Sequence, residues 1–149
     1  ANFWGTCFTV YDSGADVEAL VRNSPTLKDL PMRRRIEAMK VVYELNIMGG
    51  SPRRITVDFD RGGVHHTMKN MQPRWDKKLN SYALPFFGRA KKASAKNFQL
   101  VVNDDPNNIY LILGKISKDE FCLDFRSPLS TLDAFAIATA ALAKKRAVS

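Results

Sequence analysis

The most constraining feature of this chain lies near its end. Ala134-Phe135-Ala136-Ile137-Ala138-Thr139-Ala140-Ala141-Leu142-Ala143 contains no charge and a single hydroxyl. Just before it, Ser130-Thr131-Leu132-Asp133 has the form of a helix capping box, with Asp in place of the usual Glu or Gln. Just after it, Lys144, Lys145 and Arg146 suit the negative end of a helix dipole. These signals predict a helix over 130–145. A helix that is apolar on every side is expected to be buried on every side. This one is shorter than the roughly 20 residues a bilayer span needs. Its alanines make it thin, so other elements can approach it closely.

The rest of the sequence reads mostly as strands. Ile55–Asp60 and Phe121–Phe125 alternate apolar with polar side chains, the pattern of a half-buried strand. Phe8–Tyr11, Val41–Tyr43 and Phe98–Val102 are β-branched or aromatic runs of strand length. Ile109–Leu113 is apolar throughout, which suggests cover on both faces. Asn103–Asn108 is a turn cluster and 117–120 a second turn, so 97–126 reads as an antiparallel meander of three strands. Pro85 interrupts Tyr82–Phe87, which marks an edge strand or a bulge. Residues 12–34 read as a long loop with a short helix near Ala15–Arg22, broken afterwards by Pro25 and Pro31. The expected architecture is therefore mainly β with one buried C-terminal helix, the sheet curling as an antiparallel barrel around it. The alternative is a helix packed on one side of a sheet and covered by a second chain.

At 149 residues the chain is long enough for a single domain with its own core. It begins at Ala1 rather than Met, which points to a segment of something longer. The two cysteines, Cys7 and Cys122, are too few for a disulfide scaffold and fit a reduced intracellular compartment. The formal net charge is +8, and it is unevenly spread. Residues 69–96 hold eight basic side chains and one acid, and residues 28–54 hold seven basics and three acids. Residues 97–133 reverse the balance, with three basics and six acids. Such asymmetry points to an anionic partner: nucleic acid, an anionic membrane surface or a phosphorylated ligand. The plainer reading is a basic surface that merely keeps the chain soluble.

Several segments carry a family resemblance. Phe86-Phe87-Gly88-Arg89-Ala90-Lys91-Lys92-Ala93-Ser94-Ala95-Lys96-Asn97-Phe98-Gln99 is similar to a signature of the tubby family, with Ala90 and Ala95 where valine is usual. Asn103–Pro106, Phe8–Asp12 and Gly50–Arg54 resemble other segments of its carboxy-terminal domain. Ala134–Ala138 resembles the start of its terminal signature, whose Cys-Glu ending is replaced here by Val148-Ser149. The resemblance implies a closed antiparallel barrel around a central helix. It covers the latter part of that domain, and the early barrel strands are expected to precede Ala1. This stretch then has about seven or eight strands and open edges. An unseen part of the protein, another chain or a shortened barrel would have to complete it.

The resemblance also implies a phosphoinositide ligand, usually phosphatidylinositol 4,5-bisphosphate, bound by a membrane-tethered adaptor protein. The family's headgroup arginine lies in the pattern Arg-x-Glu…Tyr-Glu-x-Asn. Arg35-Ile36-Glu37 and Tyr43-Glu44-Leu45-Asn46 match it, with Arg35 eleven residues before Asn46. Arg33 and Arg34 add charge beside it. The remaining family contacts fall in the early strands. Arg89, Lys91, Lys92 and Lys96 form a second basic cluster, suited to an anionic membrane or to a nucleic-acid backbone, the family having been proposed to regulate transcription. Arg89 and Asn97 read more readily as structural residues that fix a turn next to Gly88. The expected location is the cytoplasmic face of the plasma membrane, or the nucleus if DNA is the partner.

Catalysis is not expected, and neither is a cofactor or metal. His65 and His66 are the only histidines, and adjacent residues of a strand point to opposite faces. Neither cysteine has a CxxC partner. Gly49-Gly50-Ser51-Pro52 lacks the spacing and lysine of a phosphate-binding loop. Trp75, between Arg74 and Asp76-Lys77-Lys78, reads as the cap of a barrel end, with a membrane interface as the alternative.

Overall fold

The computed structural model describes residues 2, 5–24, 33–44 and 53–143. Trp4, Asn46, the glycines at 49–50 and the basic run 144–146 lie outside the described residues. The described chain is mainly β with one long helix. Strands β1 (Cys7–Tyr11), β2 (Glu37–Tyr43), β3 (Ile55–Arg61), β4 (Val64–Asn70), β7 (Phe98–Val101), β8 (Ile109–Lys115) and β9 (Phe121–Phe125) form one antiparallel sheet in the order β1-β2-β3-β4-β7-β8-β9. Strands β5 (Arg74–Asp76) and β6 (Ser81–Ala83) form a separate hairpin. A short helix, α1 (Val17–Asn23), follows β1, and α2 (Thr131–Leu142) ends the described fold.

The sheet is curled into a half-barrel with β1 and β9 at its edges. The helix shows why it must curl. α2 touches both β2 and β9, which stand five strands apart in the order. In a flat sheet those strands would be about 24 Å apart, more than twice the width of a helix. Contact with both requires the sheet to bend around α2. The alternation read in β3 holds: Ile55, Val57 and Phe59 are buried and line the concave face. Met39 and Val41 of β2, Met68 of β4, Leu100 of β7 and Leu111 and Leu113 of β8 join them around Ile137, Ala134, Ala138 and Ala141. The three-strand meander β7-β8-β9 forms as expected.

α2 is capped as its sequence predicts. Ser130 Oγ accepts from the Asp133 amide at 3.2 Å, and Asp133 accepts in return from the Ser130 amide at 2.8 Å. Asp133 also pairs with Arg61 at the end of β3. Burial around the helix is one-sided, however. Leu132 is 69% exposed and Phe135 65% exposed, while Ala134 and Ile137 are fully buried. The expectation of burial on every side is corrected here. The half-barrel covers the face built from Ala134, Ile137, Ala138 and Ala141 and leaves the opposite face uncovered.

One smaller expectation is adjusted and two hold. The short helix runs Val17–Asn23, starting two residues later than Ala15, because Asp16 caps it through the Ala19 amide. Of the edge strand or bulge expected near Pro85, the edge strand is found: β6 belongs to the two-stranded hairpin, and Pro85 lies just beyond it. β8 is covered on its outer side by the chain after Pro85. Gly114 makes this possible, since a Cβ there would meet the Arg89 carbonyl oxygen at 2.4 Å.

One-sided burial has a measurable consequence. Ile137→Ala should cost about 2–5 kcal/mol in urea unfolding, because it opens a cavity against the sheet. Phe135→Ser should change stability by about 0.5 kcal/mol or less. A large loss in Phe135→Ser would show that this face is covered after all.

Candidate functional site

The three candidate arginines sit where the chain enters β2, and the β1–α1 connection holds them there. Asp12 organises the corner. Its Oδ1 accepts from the Gly14 amide at 2.9 Å and the Ile36 amide at 3.0 Å, and its other oxygen pairs with Arg33. The Asp12 amide donates to the Ile36 carbonyl at 3.0 Å. Ala15 and Arg34 then form a parallel bridge, with the Arg35 amide donating to the Ala15 carbonyl at 3.0 Å. Such close backbone approach needs Gly14, whose Cβ would lie 2.4 Å from the Arg35 backbone.

Arg35 is held on two sides. Its guanidinium lies 3.9 Å from the centre of the Tyr11 ring and pairs with Asp16 at 2.7 Å. Tyr11, Ala15, Asp16, Arg34 and Arg35 line an open cleft of about 220 Å³. Among the described residues, Arg34 has no ion-pair partner. Glu18 also lines the cleft, so Arg34 and Arg35 face two carboxylates, Asp16 and Glu18, and the lining is balanced in charge. The Asp12 carboxyl is held below the usual range, chiefly by the Ile36 and Gly14 amides, with Arg33 contributing least. Sequence reasoning named the arginines but not Tyr11, Asp12 or Asp16. The Asp12-Ser13-Gly14 turn pattern and the Asp16 cap were legible, but their pairing with residues near position 34 was not.

The second cluster is divided by the fold. Arg89 pairs with Asp124 of β9 at 2.5 Å. Lys96 Nζ reaches the Leu142 carbonyl at 3.5 Å, at the C-terminal end of α2. Asn97 ties the loop, donating to the Lys92 carbonyl and accepting from the Lys115 amide, each at 2.8 Å. Lys91 and Lys92 are exposed, their amides donating to the Lys115 carbonyl. Arg89 and Asn97 thus do the structural work expected of them, Arg89 through a carboxylate rather than through carbonyls.

The two basic segments do meet elsewhere. Arg54 from the first and Lys69 and Arg74 from the second line a polar groove of about 370 Å³, together with Glu44 and Asp104. Linear reading did not anticipate this groove. The histidines point to opposite faces, as adjacent strand residues should. His65 bonds Asp60 at 2.9 Å, and His66 stacks on Phe59 at 5.1 Å. Burial and the neighbouring Asp124 push the Cys122 thiol above its ordinary value, which keeps it a poor nucleophile. Among the described residues there is no group of three metal-ligating side chains, and no helix is long and apolar enough to cross a membrane.

The model of the Tub family matches residues 58–144. The chain belongs to the tubby family. It is 33% identical to tubby protein homolog 1 of Caenorhabditis elegans, over 93% of this chain and 38% of that protein. It is 35% identical to protein king tubby of Drosophila virilis, over 93% of this chain and 34% of the relative. Protein king tubby 1 of Culex quinquefasciatus is 34% identical over 93% of the chain and 36% of its own length. The chain thus spans well under half the length of these tubby relatives. The half-barrel curled around an alanine-rich helix agrees with the family fold that the motifs implied.

The Asp12 corner titrates in a definite direction. Its folded carboxyl is depressed, so its contribution is complete above the unfolded value near 3.9 and fades as pH falls through the folded value. Protection of the Gly14 and Ile36 amides, measured against their intrinsic exchange rates, should therefore hold above about pH 4 and be lost together as pH falls below it. Protection that stays unchanged at both amides through that range would remove Asp12 as the organiser of the corner.

Proposed function

We propose that this chain is part of the phosphoinositide-binding domain of a tubby-family adaptor that tethers a longer protein to the cytoplasmic face of the plasma membrane. The observation that carries the reading is Arg35. It matches the family's headgroup pattern and stands half-exposed at the rim of an open cleft, beside Arg33 and Arg34. A bisphosphate headgroup is multiply anionic, and a guanidinium binds phosphate through a planar fork. Tyr11 packs against that fork, and Asp16 pairs with its edge. The ion pairs with Asp12 and Asp16 are at the surface, where such pairs are individually weak, so phosphate oxygens can take over from carboxylates. Membership of the family supports the reading without specifying the ligand.

This lipid reading is preferred to a nucleic-acid one because Arg35 matches the family's headgroup pattern, whereas Arg89, Lys91, Lys92 and Lys96 match no ligand-contact pattern. Nothing in the site calls for catalysis.

The test is sedimentation of the full-length protein with vesicles that contain or lack phosphatidylinositol 4,5-bisphosphate. Arg35→Ala should weaken the lipid-specific part by about tenfold to a hundredfold, the range of charge-assisted hydrogen bonds. Arg35→Lys, which keeps charge and loses the fork, should fall between. Wild-type affinity in Arg35→Ala would sink the assignment.

A further inference from the structure

We propose that the β5–β6 hairpin is an interfacial membrane anchor, an apolar tip ringed by cations that enters the headgroup layer of an anionic bilayer. It extends the lipid reading above to a second surface, with its own side chains and without Arg35. The hairpin pairs with no strand of the seven-stranded sheet. Two strands alone are marginal in water. Yet this hairpin exposes three large apolar side chains close together: Trp75 is 52% exposed, Leu79 64% and Tyr82 72%.

The geometry makes these side chains a unit. Trp75 and Tyr82 stand directly opposite each other across the hairpin, their rings edge to face at 5.3 Å. Leu79 occupies the turn. Asp76 shapes that turn, its Oδ1 accepting from the Lys78 amide at 2.8 Å and the Leu79 amide at 3.3 Å. The one acid of the hairpin is thereby engaged by backbone. Lys77 and Lys78 immediately precede Leu79, and Arg74 stands at the root, where it also lines a groove with Arg54 and Lys69. The structure rules against the barrel-cap reading of Trp75, since a capping side chain would be covered.

Chemistry selects the occupant. Indole and phenol rings favour the bilayer interface, where an apolar body and a polar tip are both satisfied. Lysines near an anionic leaflet add attraction. A single strand of nucleic acid is the competing partner, since it too takes aromatics and cations. It needs ring faces on which successive bases stack. Here the interplanar angle of 78° turns one ring edge into the face of the other. Leu79 offers nothing to a base stack and gains from lipid.

The experiment uses the full-length protein and vesicles of phosphatidylcholine, with or without phosphatidylserine and free of phosphoinositide. Binding is expected only with phosphatidylserine. Leu79→Asp should weaken it about tenfold or more, the cost of withholding one leucine from an apolar phase. Lys77→Glu combined with Lys78→Glu should weaken it at least about thirtyfold, at roughly fivefold per lysine. Leu79 sits in an exposed turn, so circular dichroism and the unfolding midpoint should match the wild type; Leu79→Ser serves as a milder second variant. These vesicles carry no phosphoinositide, so loss of binding here bears on the anchor, and the Arg35→Ala result on phosphoinositide vesicles bears on the preceding proposal alone. Wild-type vesicle affinity in Leu79→Asp and Leu79→Ser would overturn the anchor. So would a Trp75→Ala variant that loses single-stranded oligonucleotide binding while keeping vesicle binding.

Discussion

The structure depends on how α2 is held in the concave face of the sheet. The helix has almost no polar side chain with which to anchor itself, so packing must fix its position. Asp133 is the exception. Its carboxylate is nearly buried, and it accepts from the Ser130 amide and hydroxyl while pairing with Arg61. A buried carboxylate without such partners would be costly. With them it pins the first turn of the helix to the far end of β3. The alanines of α2 then let β2 and β9 approach the same thin rod, and that approach bends the sheet.

From this curvature follows the placement of the functional surfaces. The concave face is occupied by core, so ligands are left with the rim and the outside. Arg33–Arg35 lie at the rim, where the chain turns into β2 beside the edge strand β1. The chain after Pro85 crosses the outside of β7–β9, anchored by Gln99 donating to the Pro85 carbonyl at 2.5 Å and by the close approach at Gly114. Two glycines thus serve one purpose. Gly14 and Gly114 each let a backbone lie against another that a methyl group would push away.

Charge in the sequence is a poor guide to charge on the surface. The stretch 69–96 is the most cationic by count, yet at the surface Arg89 is matched to Asp124 and Lys96 to the carbonyl end of α2. Arg33 and Arg35 are likewise matched to Asp12 and Asp16. Basic residues distant in sequence, Arg54 with Lys69 and Arg74, gather in one groove instead. The hairpin keeps its lysines because its only acid is committed to the turn.

Local and periodic signals were legible in the sequence. The alternation of β3, the meander over 97–126 and the capping box of α2 each rest on a few neighbouring residues, and neighbours suffice to specify them. The long signature at 86–99 placed the chain in the tubby family for the same reason. Only the tertiary structure decided how much of α2 is covered, because an apolar helix records the need for burial but not which strands supply it. It also decided which cations remain available. An ion pair such as Arg35 with Asp16 or Arg89 with Asp124 joins residues that approach only after the sheet has paired and curled, and no spacing along the chain encodes that approach.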